Sequence, residues 1–410
     1  MVTSSYPRFS GDAVATFMEP IAAGVAGLGH RVHVVAPWTP MWQRGVSNGG
    51  VDFHLFRYAP TRGLNSFGYA AGLRADVRLR LSAVAVAPLA LAAGWRCARM
   101  VARATQSAIV HAHWVIPGGV IGAAIAGPRP LVISLHGSDV FVAERHRLVA
   151  LAARMAFSRA AWVTACSADL RDRAVQLGAA PDRISVVPYG VDTARFSPAS
   201  GSRRDARARL GIAADAPLVF AVGRLVEKKG FRYLVEAASI LARDLPGLRI
   251  VIAGEGDLAA SLRQQAAALG VADRVMLIGV VAHQEVPALL AAADVAVAPS
   301  VRDDAGNVDG LPNTVLEIMA SGTPLVTTMA GGIGAVATDG ETARMVPERD
   351  AAALASAIAA LLHQPEAAGA MGHRARETVR AVYSWDRVAC AFDDIYTRVR
   401  QNASPGALTT

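Results

Sequence analysis

The stretch VGRLVEKKGF at 222–231 gathers its cations in one loop. Of the 41 lysines and arginines in the chain, only Lys228 and Lys229 are lysine, and they are neighbours. The loop follows an apolar run and precedes a helical pattern that opens at Gly230. A strand end, a glycine, Arg224, Lys229 and a helix N-terminus together make an anion site. Free amides and the helix dipole favour negative charge there. A guanidinium grips a phosphate through two parallel bonds, and an ammonium acts as a compact point charge. Lys228 points another way from Lys229 in a turn or helix and reads as a solvated charge.

The stretch DGLPNTVLEIMASGTPLV at 309–326 follows the same logic. Asn313 or Thr314 is placed to cap a helix that stops at Gly322, which leaves amides for a second anion contact. Glu317 is a carboxylate in an otherwise apolar helix. It is either an acid favoured by the dipole or an acceptor for a pair of hydroxyls. Asp309 stands at the loop's mouth. In SLHGSD (134–139), His136 and Asp139 lie just past a strand, where a histidine beside glycine suits function. HAHW (111–114) is weaker, because His111 can simply end a strand. GEGDLAA (254–260) is a partial dinucleotide pattern, but it does not follow the first strand of its domain. RDD (302–304) is the nearest approach to a metal-binding acid pair. It lies in a polar loop, so no metal site is expected.

Positioning these residues requires alternating strands and helices. Strand candidates in the first half are 31–37, 108–113, 131–137, 162–167 and 184–190. In the second half they are 218–223, 248–254, 275–279, 295–300, 324–328 and 343–347. Each is short and apolar or β-branched, and helical patterns such as 230–245 and 258–270 lie between them. The alternation implies parallel sheets covered by helices, in two doubly wound α/β domains. The boundary falls in the Ser-, Pro-, Gly- and Arg-rich segment 194–211. Ligands of such folds sit at the carboxyl ends of strands, so a cleft between the domains is expected to hold one. Only Met1 to Ser4 are available for a first strand, so the natural start lies upstream or the strand is short.

Composition narrows the partners. The chain has 410 residues, 53% hydrophobic, with a net charge of +8. That charge admits nucleic acid, an anionic membrane or a polyanionic substrate. No Cys–His finger spacing or aromatic-rich RNA-binding stretch occurs, so nucleic acid is not expected. The three cysteines are far apart, which fits a reducing cytoplasm. No signal peptide is evident. The longest apolar run, 81–94, contains Pro88 and falls short of the roughly 20 residues a membrane span needs. The segment 69–103 mixes that run with Arg74, Arg78, Arg80, Arg96, Arg99 and Arg103. It is either an interfacial helix pair against anionic lipid or a set of helices with arginine-rich solvent faces.

The motifs GD (11–12), HAHW, LHGSD, PYGVD (188–192), GRLVEKKG, IAGEGD (252–257) and DGLPNTVLEIMASGTPLV resemble, in order, those of the retaining GT-B glycosyltransferases of family GT4. The likeness runs from about residue 3 to 390. It implies two facing Rossmann-like domains. Residues 1–195 would form an acceptor-binding domain, joined by a crossover helix at 385–400, and 205–384 would bind the nucleotide sugar. Arg224, Lys229, Gly11, Asn313 and Thr314 would bind the donor diphosphate. Glu317 would bind the ribose, with the base near Gly279 to Ala282. His136 and Asp309 would be catalytic, and His113 and Asp139 would face the acceptor. Two positions depart from the family pattern. Asp309 replaces the usual glutamate and is one methylene shorter. Gly11-Asp12 replaces Gly-Gly, so Asp12 would repel a diphosphate and is not assigned to it.

The resemblance implies metal-independent transfer, with no cofactor, from a nucleotide-diphosphate sugar to a glycan or lipid-linked acceptor. Cell-surface polysaccharide or glycolipid synthesis, in the cytoplasm or peripherally on the inner face of the membrane, would be the setting. The alternatives are a nucleotide-sugar epimerase and an inactive nucleotide-sugar-binding protein on the same fold.

Overall fold

The structure, a computed structural model, describes residues 1–12, 14–59, 61, 65, 68–69, 73–74, 78–79, 81–309 and 311–403. The side chains of 73–74, 78–79 and 81–84 lie outside the described set. The chain divides into two compact units, Met1–Tyr189 with Trp385–Thr410, and Gly190–Ser384.

The first unit is built on strands β1 (Val32–Pro37), β2 (Ser47–Asn48), β3 (Val51–Phe56), β6 (Val110–His113), β7 (Leu131–Leu135), β8 (Trp162–Ala165) and β9 (Ile184–Val186), with a small hairpin of β4 (Leu73–Arg74) and β5 (Arg78–Leu79). Its helices are α1 (Met18–Gly27), α2 (Leu81–Ala104), α3 (Val120–Ala126), α4 (Ser138–Arg145), α5 (Arg147–Arg159) and α6 (Ala168–Gln176). β7 is buried along its whole length, as expected of a parallel strand covered on both faces.

The short first strand is real. Val2 bridges in parallel to Val35 on one side and to Ala112 on the other. Its amide donates to the His111 carbonyl at 2.8 Å, and Thr3 donates to Val35 at 3.0 Å. This stub joins β2-β3-β1 to β6-β7-β8-β9. β3 has no counterpart among the expected strands, because Asp52 and His54 break its apolar run.

The second unit holds six parallel strands in the order β12-β11-β10-β13-β14-β15. They are β10 (Leu218–Val222), β11 (Arg249–Ala253), β12 (Val275–Gly279), β13 (Val295–Ala298), β14 (Leu325–Thr328) and β15 (Arg344–Val346). The helices are α7 (Arg203–Arg209), α8 (Phe231–Leu241), α9 (Ala259–Ala268), α10 (Val286–Ala292), α11 (Asn313–Ser321), α12 (Ala351–His363) and α13 (Pro365–Val382). Apolar spacing explains the packing of α8, whose Leu234, Val235, Ala238 and Leu241 enter the core. Strand order reverses between β10 and β13, and the carboxyl ends there are where a doubly wound sheet receives a ligand.

Two expectations are corrected. The boundary expected in 194–211 lies earlier, between Tyr189 and Gly190, and the segment belongs to the second unit. It contains α7, whose Arg207 is 1% exposed and donates to the carbonyls of Ala292, Ala213, Ala214 and Ala216 and to Asp294. A buried guanidinium with this many acceptors ties the segment down, and no apolar pattern announces it. Among the described residues of 69–103 there is one helix and not a pair: α2, of 24 residues with Pro88 inside it. Arg80 lies outside the described residues, as do the side chains of Arg74 and Arg78. Among the described residues no helix is long and apolar enough to cross a membrane. The last helix, α14 (Trp385–Ala403), belongs to the first unit and buries Val388, Phe392, Ile395, Tyr396 and Val399 in its core.

Candidate functional site

In the second unit, the loop after β10 is pinned before its cations are reached. Gly223 donates to Ala253 at 3.0 Å and Leu225 donates to Glu255 at 2.8 Å. These bonds lay the loop against residues 254–257. A Cβ on Gly254, which sits at φ 140°, would lie 1.9 Å from the Gly223 carbonyl oxygen. The glycines of GEGD therefore have a packing reason, and the dinucleotide reading is not needed. A single 3₁₀ turn, Glu227–Lys229, then ends at Gly230, with φ 67°. A Cβ there would lie 1.8 Å from the Pro299 carbonyl oxygen, just past β13. Val301 also donates to the Lys228 carbonyl at 2.9 Å. The loops after β10 and β13 are thus one packed body at the reversal point.

That body brings the two lysines to one acid. Lys228 Nζ is 2.9 Å from Asp309 Oδ1, and Lys229 Nζ is 2.6 Å from Asp309 Oδ2. The three side chains are only 14–15% exposed. Lys228 is therefore not the solvated charge expected of it. Burial opposes ionisation of Asp309, but the two ammoniums prevail and hold its carboxyl well below the usual carboxylate range. Arg224 is exposed near the start of the same loop.

α11 begins at Asn313, behind Pro312 in the cap position. The expected side-chain cap from Asn313 or Thr314 is not made, because both residues are already inside the first turn. Glu317, one turn further on, meets His283 through Oε1 and Nε2 at 2.9 Å. His283 packs beside the ring of Phe196, 5.7 Å between centroids. The sequence reading missed His283, although it stands a few residues past β12 as His136 does past β7. Asp303 is consumed within its loop, accepting from the Ala305 and Asn307 amides and from Asn307 Nδ2. Asp304 pairs with Arg349. Among the described residues no three His, Cys, Asp or Glu side chains gather to hold a metal.

In the first unit, Gly11 follows the stub with φ 86°, a conformation glycine adopts freely. Asp12 does not stand as a bare charge. It accepts from Arg8 Nε at 2.6 Å, Arg8 Nη2 at 2.8 Å and the Arg8 amide at 2.9 Å. Burial acts to raise its pKa, but the Arg8 bonds outweigh that and lower it.

His136 stacks on Phe17 at 4.4 Å. Its Nδ1 meets the Tyr189 hydroxyl at 2.8 Å, and its Nε2 meets His113 Nδ1 at 3.1 Å. Burial lowers its pKa to about 3, so the imidazole is neutral. Both ring nitrogens are thus engaged by protein. His113 has no exposed surface, so it lies behind His136 rather than on an acceptor surface. Its Nε2 has no hydrogen-bond partner among the described residues. Asp139 is likewise turned inward. Its carboxylate accepts from the amides of Val115 at 2.7 Å, Gly137 at 3.0 Å and His136 at 3.3 Å. It therefore pins the loop that carries His136, and burial raises its pKa despite these bonds. Behind this layer, His111 bonds Tyr396 on α14 at 2.6 Å and Ser134 at 2.7 Å.

The structure thus gathers Lys228, Lys229 and Asp309 in one cluster, with Glu317 on the helix that follows. In the other unit it gathers His136, His113 and Asp139.

Comparison with known proteins yields consistent matches. Residues 202–378 match the family described as Glycosyl transferases group 1, and residues 14–195 match Glycosyltransferase Family 4. A glycogen synthase of Mycobacterium tuberculosis is 31% identical over 310 residues, covering 73% of this chain and 70% of that protein. A GDP-mannose-dependent alpha-(1-6)-phosphatidylinositol monomannoside mannosyltransferase of Mycolicibacterium smegmatis is 34% identical over 261 residues, covering 63% of this chain and 68% of the other. Among solved structures, Anabaena Alr3699/HepE in complex with UDP superposes with a TM-score of 0.74 at 20% identity, over 97% of this chain and 98% of that one.

Proposed function

This chain belongs to the group 1 glycosyl transferases of family 4, and on that premise we propose that it moves a sugar from a nucleoside-diphosphate donor to a glycan or lipid-linked acceptor, with retention and without a metal. Its fold is GT-B, and it is an enzyme of the hexosyltransferase kind. The observation that carries the proposal is the Lys228–Asp309–Lys229 cluster at the strand-order reversal, with Glu317 on the next helix.

As the bond from the anomeric carbon to the diphosphate breaks, negative charge grows on the departing phosphate. Lys229, Arg224 and the N-termini of α8 and α11, with the Asn313 and Thr314 amides, stabilise that charge, which is the work a metal does elsewhere. One well-placed charge-assisted donor is worth about 3 kcal/mol in the transition state. Glu317 accepts from the ribose hydroxyls. Asp309 contacts the sugar. The acceptor hydroxyl attacks from the face the phosphate leaves, and its proton passes to a phosphate oxygen, so no protein nucleophile is required. His136 is neutral with both ring nitrogens taken by Tyr189 and His113, and it is not assigned as a base.

A relative acting on a phosphatidylinositol mannoside and one named glycogen synthase leave a lipid-linked or glycan acceptor open by analogy. Supporting the lipid side, α2 and α5 present exposed Leu89, Trp95, Met100, Leu148, Leu151 and Met155. Neither helix carries an acid. We place this face against an anionic membrane surface on the inner side, in cell-surface glycan or glycolipid synthesis.

Thermal-shift screening of UDP-, GDP- and ADP-sugars identifies the donor, and radiolabelled transfer then measures activity. Lys229→Ala and Glu317→Ala are expected to abolish transfer, by about 100-fold or more each, while the fold survives. Near-normal turnover by either variant overturns the assignment. Tight nucleotide binding by the wild type with neither transfer nor hydrolysis favours an inactive binder. Turnover of the nucleotide sugar without acceptor favours an epimerase.

A further inference from the structure

Lys228 has no part in the donor contacts proposed above, yet its ammonium lies 2.9 Å from Asp309 with 14% of its side chain exposed. Ordering a long side chain over a nearly buried carboxylate costs rotamer entropy and desolvation. One counter-charge is enough for one carboxylate, and Lys229 supplies it at 2.6 Å. Two ammoniums on one carboxylate are more than its charge balance asks.

The use of Lys228 becomes clear once Lys229 has to serve two anions. As the ligand of a donor diphosphate, Lys229 shares or leaves Asp309. Without another cation, Asp309 would then face the phosphates as an unpaired like charge, which either displaces it or protonates it. Aspartate is one methylene shorter than glutamate and follows a departing partner less far. Lys228 stays where it is, because the Val301 amide binds its carbonyl at 2.9 Å and ties it to the loop after β13, which leads to Asp309.

We propose that Lys228 is a positioning residue that holds the Asp309 carboxylate in place while Lys229 turns to the diphosphate. The inference deepens the proposed function and rests on its reading of Lys229 and Asp309 as donor contacts. The two lysines divide the work, one for the phosphate and one for the acid.

The test compares Lys228→Met, Lys228→Arg and Lys229→Met in the full-length protein. Binding of UDP, GDP and ADP is followed by calorimetry, and transfer is followed against pH. Lys229→Met is expected to weaken nucleotide binding by about 100-fold. Lys228→Met is expected to leave it within about threefold while kcat falls by about tenfold or more, a split that marks a loss in the transition state alone. Lys228→Arg restores most of kcat. The acid limb of the kcat profile moves to higher pH in Lys228→Met, because Asp309 has lost one of its two cations. Equal losses of nucleotide binding in both methionine variants would make Lys228 a second phosphate ligand and overturn the proposal. So would an unmoved acid limb, which marks a merely structural residue. A wild-type protein that binds none of the three nucleotides overturns the donor-site reading itself, and this inference falls with it.

Discussion

At the scale of single residues, the pairings around charge decide what each group can do. The sequence marked Arg224, Lys229, Glu317 and His136 because cations, an isolated acid and a strand-end histidine are conspicuous by type. It did not show that Lys228 and Lys229 converge on Asp309 across some eighty residues, or that His283 reaches Glu317. Such pairs depend on loop packing, which leaves no period in the chain. The buried histidines give a prediction. His136 has a folded pKa of about 3, below its ordinary 6.5, and burial lowers His111 and His113 as well. Between those values the unfolded chain binds a proton that the folded state refuses, so stability falls as pH falls below 6.5. Each such histidine contributes a slope of about 1.4 kcal/mol per pH unit once well below 6.5. Asp139, raised by burial, opposes this in the acid range. His136→Phe keeps an aromatic ring against Phe17 and removes one titration. Its melting temperature is expected to drop less between pH 7 and pH 5 than that of the wild type, as measured by calorimetry. An unchanged pH slope would contradict the assignment.

At the scale of elements, the eleven expected strands all appear, ten within two residues of their bounds and the one at 184–190 ending four residues early at Val186, because short β-branched runs between helical patterns are visible in one dimension. What stayed hidden was held by polar groups. β3 carries Asp52 and His54 in its run, and α7 is fixed by Arg207 rather than by an apolar face. Arg207→Met tests the second case. The substitution keeps the side chain's bulk but removes donors from four carbonyls and one of the two arginines paired with Asp294, which keeps Arg203. Removing a buried hydrogen-bonding group that several acceptors share costs about 1–3 kcal/mol. A marked fall in the urea midpoint is expected, with nucleotide binding retained in the folded fraction. A midpoint equal to that of the wild type would mean that α7 is held by its neighbours alone.

At the scale of the whole molecule, the question is what a protein of net charge +8 meets. Composition bias alone would scatter arginine evenly over the surface. On α2, Arg96, Arg99 and Arg103 are exposed with Leu89, Trp95 and Met100, and Arg99 lies over the Trp95 ring, 5.2 Å from its centroid. On α5, exposed Arg147, Arg154 and Arg159 accompany Leu148, Leu151 and Met155, the last three on one helix face. α3 packs against both helices. Apolar side chains next to acid-free arginines suit a surface of anionic headgroups over acyl chains. Each arginine near such a surface adds about 1 kcal/mol, so Arg96→Gln, Arg99→Gln and Arg103→Gln together should weaken binding by about 100-fold. Co-sedimentation with phosphatidylglycerol vesicles measures it. The wild type is expected to pellet at about 10 mM salt, where charges act over roughly 30 Å, and to be largely released near 1 M, where they act over roughly 3 Å. Leu148→Ser with Leu151→Ser and Met155→Ser should weaken binding at both salts, because the apolar term is not screened. These are exposed positions, so the fold and nucleotide binding should be unchanged in both triple variants. A wild type that stays in the supernatant at low salt, or a triple arginine-to-glutamine variant that pellets like the wild type, would leave the arginines as solvated surface and return the acceptor to a water-soluble glycan.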